Sequence, residues 1–369
     1  MLRLESLRHC GPYEICEALK TPPISLDETY EHVLQRIPKE KQKNACRLFH
    51  CLMAAVRPLS VEEAGQLFSI DSDAGFSLKG TWKLENPDFF ILSTSTLITI
   101  IKNKGSKIVQ FSHPSVEQFL TSDRLRTSEI HDIRFFHTTL VQAHATLAQA
   151  CLSVLLTLDE NMDKTLVENF PLANYAAHYW VKHSMHEDVA LRIEDGIKRL
   201  FNPSEEHHLS LWTWIHNIAS DQVQLETPLE ERPTRPEATA LHYAALCGFS
   251  FLVKYLVTHG ANVNTFCGNH GTPLHAAAYK GHVDAVHILV AHGADVNAQS
   301  GSHAATPLYR ASESGHLEVV QILLNSGADA HIRAQNDQTP FQVARLNGHI
   351  GISQLLLKCG AGDKLRIMV

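Results

Sequence analysis

Histidine and cysteine are the residues here with most chemistry open to them: 24 and 8 in a chain of 369. Either type can ligate metal, and histidine can move protons near neutral pH. The cysteines fall at 10, 16, 46, 51, 151, 247, 267 and 359. None forms a CxxC pair, so they read as free thiols of a reducing compartment. His207-His208 has no cysteine or carboxylate set at a zinc spacing. No GxSxG elbow supports serine catalysis, and Cys267 reads as an ordinary thiol. No GxxxxGK[ST] loop cradles phosphate, and no acidic strand end waits for magnesium. The sequence therefore implies no enzyme, no metal and no cofactor. Many histidines are instead periodic: His242 and His275 form one series, and His282, His316 and His349 another. A periodic histidine serves a repeat, by hydrogen-bonding backbone between units, and if buried neutral it weakens the fold in mild acid.

The elements that carry those histidines repeat with them. Thr239-Ala-Leu-His-Tyr243 returns as Thr272-Pro-Leu-His-Ala276, Thr306-Pro-Leu-Tyr-Arg310 and Thr339-Pro-Phe-Gln-Val343, in steps of 33, 34 and 33 residues. Gly260-Ala-Asn, Gly293-Ala-Asp, Gly327-Ala-Asp and Gly360-Ala-Gly keep the same phase, so this is a repeat array. Within a unit, Thr306-Pro307 opens a helix by capping. Gly315-His316 ends it at a left-handed residue. Leu317, Val319, Val320, Ile322, Leu323 and Leu324 then form the apolar stripe of a second helix. One such unit cannot bury its apolar face alone, and stacking solves this. The extra residue of the third unit is expected near Gly301-Ser-His303, in a hairpin.

This pattern closely resembles the ankyrin repeat, nearly whole in residues 272–297. The first unit departs with Ala240 and Phe249, and the last with Phe341-Gln342. The resemblance implies a protein-binding surface on the hairpin tips and on the concave side of the first helices. The residues it points to are Phe266, Asn269, His270, Ser302, His303, Arg333 and Asn336 on tips. On the helical side they are Leu246, Tyr279, Glu313 and Leu346. Phe266, Tyr279 and Leu246 are the expected anchors, since large apolar groups at solvent positions commonly anchor interfaces. An alternative is that Phe266 and Leu246 pack against the preceding helical region.

Upstream, Ser25-Leu-Asp-Glu28 is a capping-box pattern that opens a helix through Tyr30, Val33 and Leu34. A second helix is expected over 41–55. Pro58-Leu-Ser60 with Glu62-Glu63 opens another, and Asn86–Leu92 a further one. Leu97–Ile101 and Ile108–Phe111 form a hairpin around Lys102-Asn-Lys-Gly-Ser106, and His113-Pro114 leads into a closing helix. This order describes a winged helix. Leu140, Leu147, Cys151, Leu155 and Leu158 read as one helical apolar face. Leu172, Tyr175, Ala176, Tyr179 and Trp180 read as a second, and Leu191, Ile193, Ile197 and Leu200 as a third. The expected fold is mainly α, an ankyrin solenoid preceded by a winged-helix-like segment and a helical domain. The expected division is a helical segment 1–57, a winged-helix-like domain 58–130, a helical domain 131–220, a linker 221–237, and repeats 238–361. The four units lie at about 238–270, 271–304, 305–337 and 338–361, before a tail, 362–369.

Pro23-Ile-Ser-Leu-Asp-Glu-Thr-Tyr30, Pro58-Leu-Ser60 and Val109-Gln-Phe-Ser-His-Pro-Ser-Val-Glu-Gln-Phe-Leu120 resemble the region after the nucleotide-binding core of fungal NACHT-type STAND ATPases. That resemblance implies the sensor half of a fungal signalling molecule, with an ATPase core expected upstream of residue 1. It also implies an intramolecular contact with a NACHT domain if one is present. In those switch ATPases the histidine of a Phe-x-His motif touches bound diphosphate. Phe111-Ser-His113 matches it, so His113 is a nucleotide contact in a full-length parent or, in this chain, a histidine that caps a helix. As an alternative function, the resemblance implies part of an ADP/ATP-controlled signalling ATPase.

The formal net charge is −7, with the excess negative charge upstream of residue 236. This argues against a nucleic-acid surface, and the winged-helix region offers no basic recognition helix. No apolar run approaches the length of a membrane span, and Met1-Leu-Arg-Leu-Glu5 begins no secretory signal. The partner expected is a protein, and the place the cytoplasm.

Overall fold

The computed structural model describes residues 25–71, 76–78, 87–92, 96–103, 105–159, 164–219, 236, 238–267, 271–300 and 304–360. Residues 1–24 of the expected helical segment 1–57, nearly all of the linker 221–237 and the tail 362–369 lie outside them. The chain divides into two compact units, Met1–Leu200 with Leu211–Pro233, and Phe201–Ser210 with Thr234–Val369.

In the first unit, Ser25 Oγ accepts from the Glu28 N–H at 3.2 Å and opens α1 (Leu26–Gln35). Helix α2 (Lys39–Ala54) follows. Strand β1 (Leu59–Ser60) runs into α3 (Val61–Gln66), where Ser60 and Glu63 complete a reciprocal capping box. Short strands β2 (Ile70–Asp71) and β3 (Ser77–Leu78) pair with each other, and α4 (Pro87–Leu92) comes next. Strands β4 (Ile98–Asn103) and β5 (Ser106–Phe111) form the expected hairpin, turning through Gly105 at φ +93°. It is longer than expected, because Lys102↔Lys107 and Asn103↔Ser106 stay paired while their side chains reach solvent. Strand β1 joins its other edge antiparallel, giving the order β1-β5-β4. Then come α5 (Ser115–Leu120), α6 (Asp123–Arg126) and α7 (His131–Arg134).

Helix α8 (Leu140–Leu155) is the axis of this unit. It packs on α2 and on α10 (Ala173–Ser184), which follows the short α9 (Lys164–Val167). Helices α11 (Val189–Arg192) and α12 (Glu194–Leu200) follow, and α13 (Glu206–Ala219) belongs to this unit from Leu211 onward. Two residues read as core are not: Leu140 is 47% exposed and Leu191 is 59% exposed. Leu140 is the first residue after the Thr139 cap, and in the single turn of α11 it is Val189 that is buried.

A polar chain crosses this core. Tyr175 Oη accepts from the Val56 N–H at 3.0 Å and meets His183 Nε2 at 3.0 Å. His183 Nδ1 meets His144 Nδ1 at 2.9 Å, tying α10 to α8. Burial, then His144 and Lys182, push the pKa of His183 down to about 3, so it is neutral. Arg57 lies 5.0 Å over the Tyr175 ring and grips Glu63 with two bonds, at 2.8 and 2.5 Å. The Glu63 side chain is 8% exposed and that of Arg57 40%, so the pair is half-sheltered. Glu63→Ala removes both this fork and the capping box. The expected loss is about 2–3 kcal/mol in urea unfolding, below the full cost of breaking a buried pair because water reaches Arg57. A loss under about 0.5 kcal/mol would place the pair with ordinary surface bridges.

Among its described residues the second unit holds four helix pairs: α14 (Ala240–Cys247) with α15 (Ser250–Thr258), α16 (Pro273–Lys280) with α17 (Val283–Ala291), α18 (Pro307–Ser314) with α19 (Leu317–Asn325), and α20 (Pro340–Leu346) with α21 (Ile350–Lys358). First helices stack on first helices and second on second. Thr239, Thr306 and Thr339 accept from the N–H three residues on, as their sequence predicts. Hairpin backbones close Cys267 N to Gly271 O, Ser300 N to Ala305 O, and Ala334 N to Gln338 O, each at 3.0 Å. Only the middle one spans five positions rather than four, which places the extra residue between Ser300 and Ala305.

Candidate functional site

Four of the histidines read as periodic, His275, His282, His316 and His349, are the mortar between units. His282 Nε2 donates to the Leu246 carbonyl at 3.1 Å, His316 Nε2 to Tyr279 at 3.0 Å, and His349 Nε2 to Glu313 at 3.1 Å. Each ring lies on the glycine that ends the preceding first helix: a Cβ on Gly248, Gly281 or Gly315 would meet it at 2.4–2.6 Å. His275 works differently. Its Nδ1 accepts from the Thr272 N–H at 3.2 Å, and its Nε2 donates to Ala305 of the next unit at 3.0 Å. In the third unit tyrosine replaces that histidine, and Tyr309 packs with Ala305, Ala334 and Val343 while its hydroxyl reaches Gln338 at 3.3 Å.

A second ladder was not read from the sequence. Asn264 donates to Gly293 O at 3.1 Å and accepts from the Asp295 N–H at 2.8 Å. Asn297 repeats this with Gly327 at 3.3 Å and Asp329 at 2.8 Å. The signal was available: asparagine recurs four residues after the glycine of the Gly-Ala marker.

These ties fix a row of equivalent side chains, seven residues after each capping threonine. Leu246 is half-buried, Tyr279 is 45% exposed, Glu313 is half-buried, and Leu346 is 69% exposed. Lys280 Nζ sits 5.2 Å from the centre of the Tyr279 ring, and Glu313 is bound to Arg310 at 3.1 Å. Two tip residues are committed to their own turn. Asn336 Nδ2 donates to Tyr309 Oη at 3.1 Å and Gln338 Oε1 at 2.8 Å, and Arg333 pairs with Asp337 at 3.3 Å. Asn269, His270, Ser302 and His303 lie outside the described residues. Phe266 is 56% exposed and borders a cavity of about 750 Å³ shared with Leu209, Leu241, Tyr255 and Leu256.

In the other unit, His113 is exposed, and its Nδ1 accepts from the Ser115 N–H at 3.2 Å and meets Ser115 Oγ at 2.6 Å. Ser115 Oγ in turn meets Tyr30 Oη at 2.7 Å. Among the described residues no three histidines, cysteines or carboxylates are placed to hold a metal ion. None of the described helices is long and apolar enough to cross a membrane.

This geometry is that of an ankyrin array: residues 204–300 and 301–366 match the family described as Ankyrin repeats (3 copies). Among known proteins, the chain is similar to the Azaphilone pigments biosynthesis cluster protein L of Monascus ruber, 31% identical over 258 residues, covering 67% of this chain and 53% of that protein. The chain thus spans about half the length of this relative.

Proposed function

We propose that the chain is a non-enzymatic scaffold that recognises another protein through the row Leu246, Tyr279, Glu313 and Leu346 and the tip residue Phe266. The observation that carries this reading is the exposure of Tyr279 and Phe266, at 45% and 56%, on a framework whose backbone is fixed by its own ladders. A large aromatic held rigid at a solvent position loses little entropy when a partner covers it. Arg333 and Asn336 have the lesser role of positioning, since their polar groups serve the turn. The test is quantitative recovery of bound proteins by the purified chain against Tyr279→Ala and Phe266→Ala. At least one partner should be recovered about tenfold less well by one of the variants. Equal recovery of every partner would remove both residues from the site.

The order of helices, the β1-β5-β4 sheet and the helix after His113 support a winged helix before the array. They also support the sensor half of a NACHT-type cytoplasmic signalling protein as the setting. One observation favours the nucleotide reading for such a parent: His113 is exposed, with Ser115 holding only its Nδ1. Calorimetry of the chain with ADP should give no heat if the scaffold acts alone. Binding that is lost on His113→Ala would favour the nucleotide reading.

A further inference from the structure

Asn347-Gly348 is the one Asn-Gly pair in the sequence. Glycine has no side chain to shield its own amide nitrogen, so that nitrogen can reach the side-chain carbon of the asparagine before it. Asn347 is also a structural tie. It is exposed at the end of α20, and its Nδ2 donates to the Glu313 carbonyl of the third unit at 2.8 Å. His349 Nε2 donates to the same carbonyl at 3.1 Å, so two side chains of the fourth unit clasp one oxygen of the third. At the two earlier interfaces Lys280 and Ser314 stand where Asn347 stands, and histidine, His282 or His316, holds the carbonyl. The reacting groups are engaged while the clasp is closed. The Gly348 N–H donates to the Arg345 carbonyl at 3.2 Å, and the Asn347 ψ of 3° turns the Gly348 nitrogen away from the side chain.

We propose that Asn347 is a deamidation site gated by opening of the interface between the third and fourth units, and that the reaction prevents reclosure. Once the clasp opens, the Gly348 nitrogen attacks Asn347 Cγ. A C–N bond forms, the Cγ–Nδ2 bond breaks, and Nδ2 leaves as ammonia with the proton lost by Gly348. Water then opens the five-membered imide at either of its carbonyls. One product is aspartate on a normal main chain; the other is isoaspartate, whose main chain runs through Cβ and Cγ. Neither restores the tie. An ionised carboxylate only accepts, so it faces the Glu313 carbonyl with no hydrogen between them. Isoaspartate also lengthens the main chain ahead of His349, the other half of the clasp. The site stands without any partner; only its consequence rests on the proposed binding row, because an open fourth unit no longer holds Leu346 in line with Tyr279.

The test is peptide mass mapping of the full chain kept warm in mildly alkaline buffer, beside the same chain unfolded in urea. Conversion at residue 347 is expected in the folded chain, about tenfold slower than in urea. His349→Ala should speed it about fivefold by loosening the clasp. Hydrogen exchange of Asn347→Asp should show the α20 and α21 amides opening about tenfold more readily, with those of α14 unchanged. That variant needs no deamidation, so it reads the clasp even if His349→Ala is damaged. An intact Asn347 in the folded chain once the unfolded chain has fully converted would overturn the proposal. So would equal rates in the folded and unfolded chains, indifference to His349→Ala, or α20 and α21 exchange unaltered by Asn347→Asp.

Discussion

Gly281→Ala is expected to destabilise the repeat unit by on the order of 3 kcal/mol, although the substitution adds one methyl group. Gly281 sits at φ +77°, where an L side chain is strained, and its Cβ would stand 2.4 Å from His316 Nδ1. The ring must move, and the bond from His316 to the Tyr279 carbonyl goes with it. Gly260→Ala is the control: φ is +90° but nothing lies within 4 Å, so only backbone strain of about 1 kcal/mol is expected. Hydrogen exchange of the α16 and α17 amides in rising urea would separate the two. Equal effects would mean that the histidine contact contributes nothing.

The second large effect is acid lability centred on His275. Burial pushes its pKa down to about 4, and Nδ1 is already engaged by the Thr272 N–H and so has no place for a proton. An unfolded histidine takes its proton near pH 6.5. Between about pH 6.5 and 4 the unfolded chain therefore binds more protons than the folded one, and stability falls as pH falls. The full contribution is about 3 kcal/mol, present above pH 6.5 and gone below about 4. His282, also lowered by burial, adds in the same direction. In the other unit His50 and His183, lowered to about 4 and about 3, do likewise, so the isolating comparison is His275→Gln. That variant should be less stable at pH 7.5 yet lose less between pH 6.5 and 4.5. Parallel pH curves for the two proteins would show that His275 is not the titrating group.

Local signals carried much of this architecture. Thr239, Thr306 and Thr339 cap the helices their positions announced, and His282, His316 and His349 bridge backbone as their period required. Ser60 and Glu63 were legible as a cap, but not Arg57 on the same carboxylate, because no sequence pattern announces that pairing. Leu140 and Leu191 fit an apolar face by spacing and failed because each sits at or near a helix end, where the periodicity has too few turns to decide. The packing of Phe249 on Phe201 joins residues far apart in the chain, and the substitution of phenylalanine for histidine was its only trace. Asn336 looked free on a tip, yet its amide is bound to Tyr309 and Gln338, a partnership made only when the hairpin folds over the third unit.

The claim beneath all of this is that imidazole-to-carbonyl bonds lock successive units and thereby fix the row that faces a partner. Nitrogen NMR of the imidazole rings tests it most directly. The account predicts that His282, His316 and His349 each carry a proton on Nε2 and give a slowly exchanging Nε2–H signal. Rings protonated on Nδ1, or tautomers in rapid exchange at these three positions, would contradict it.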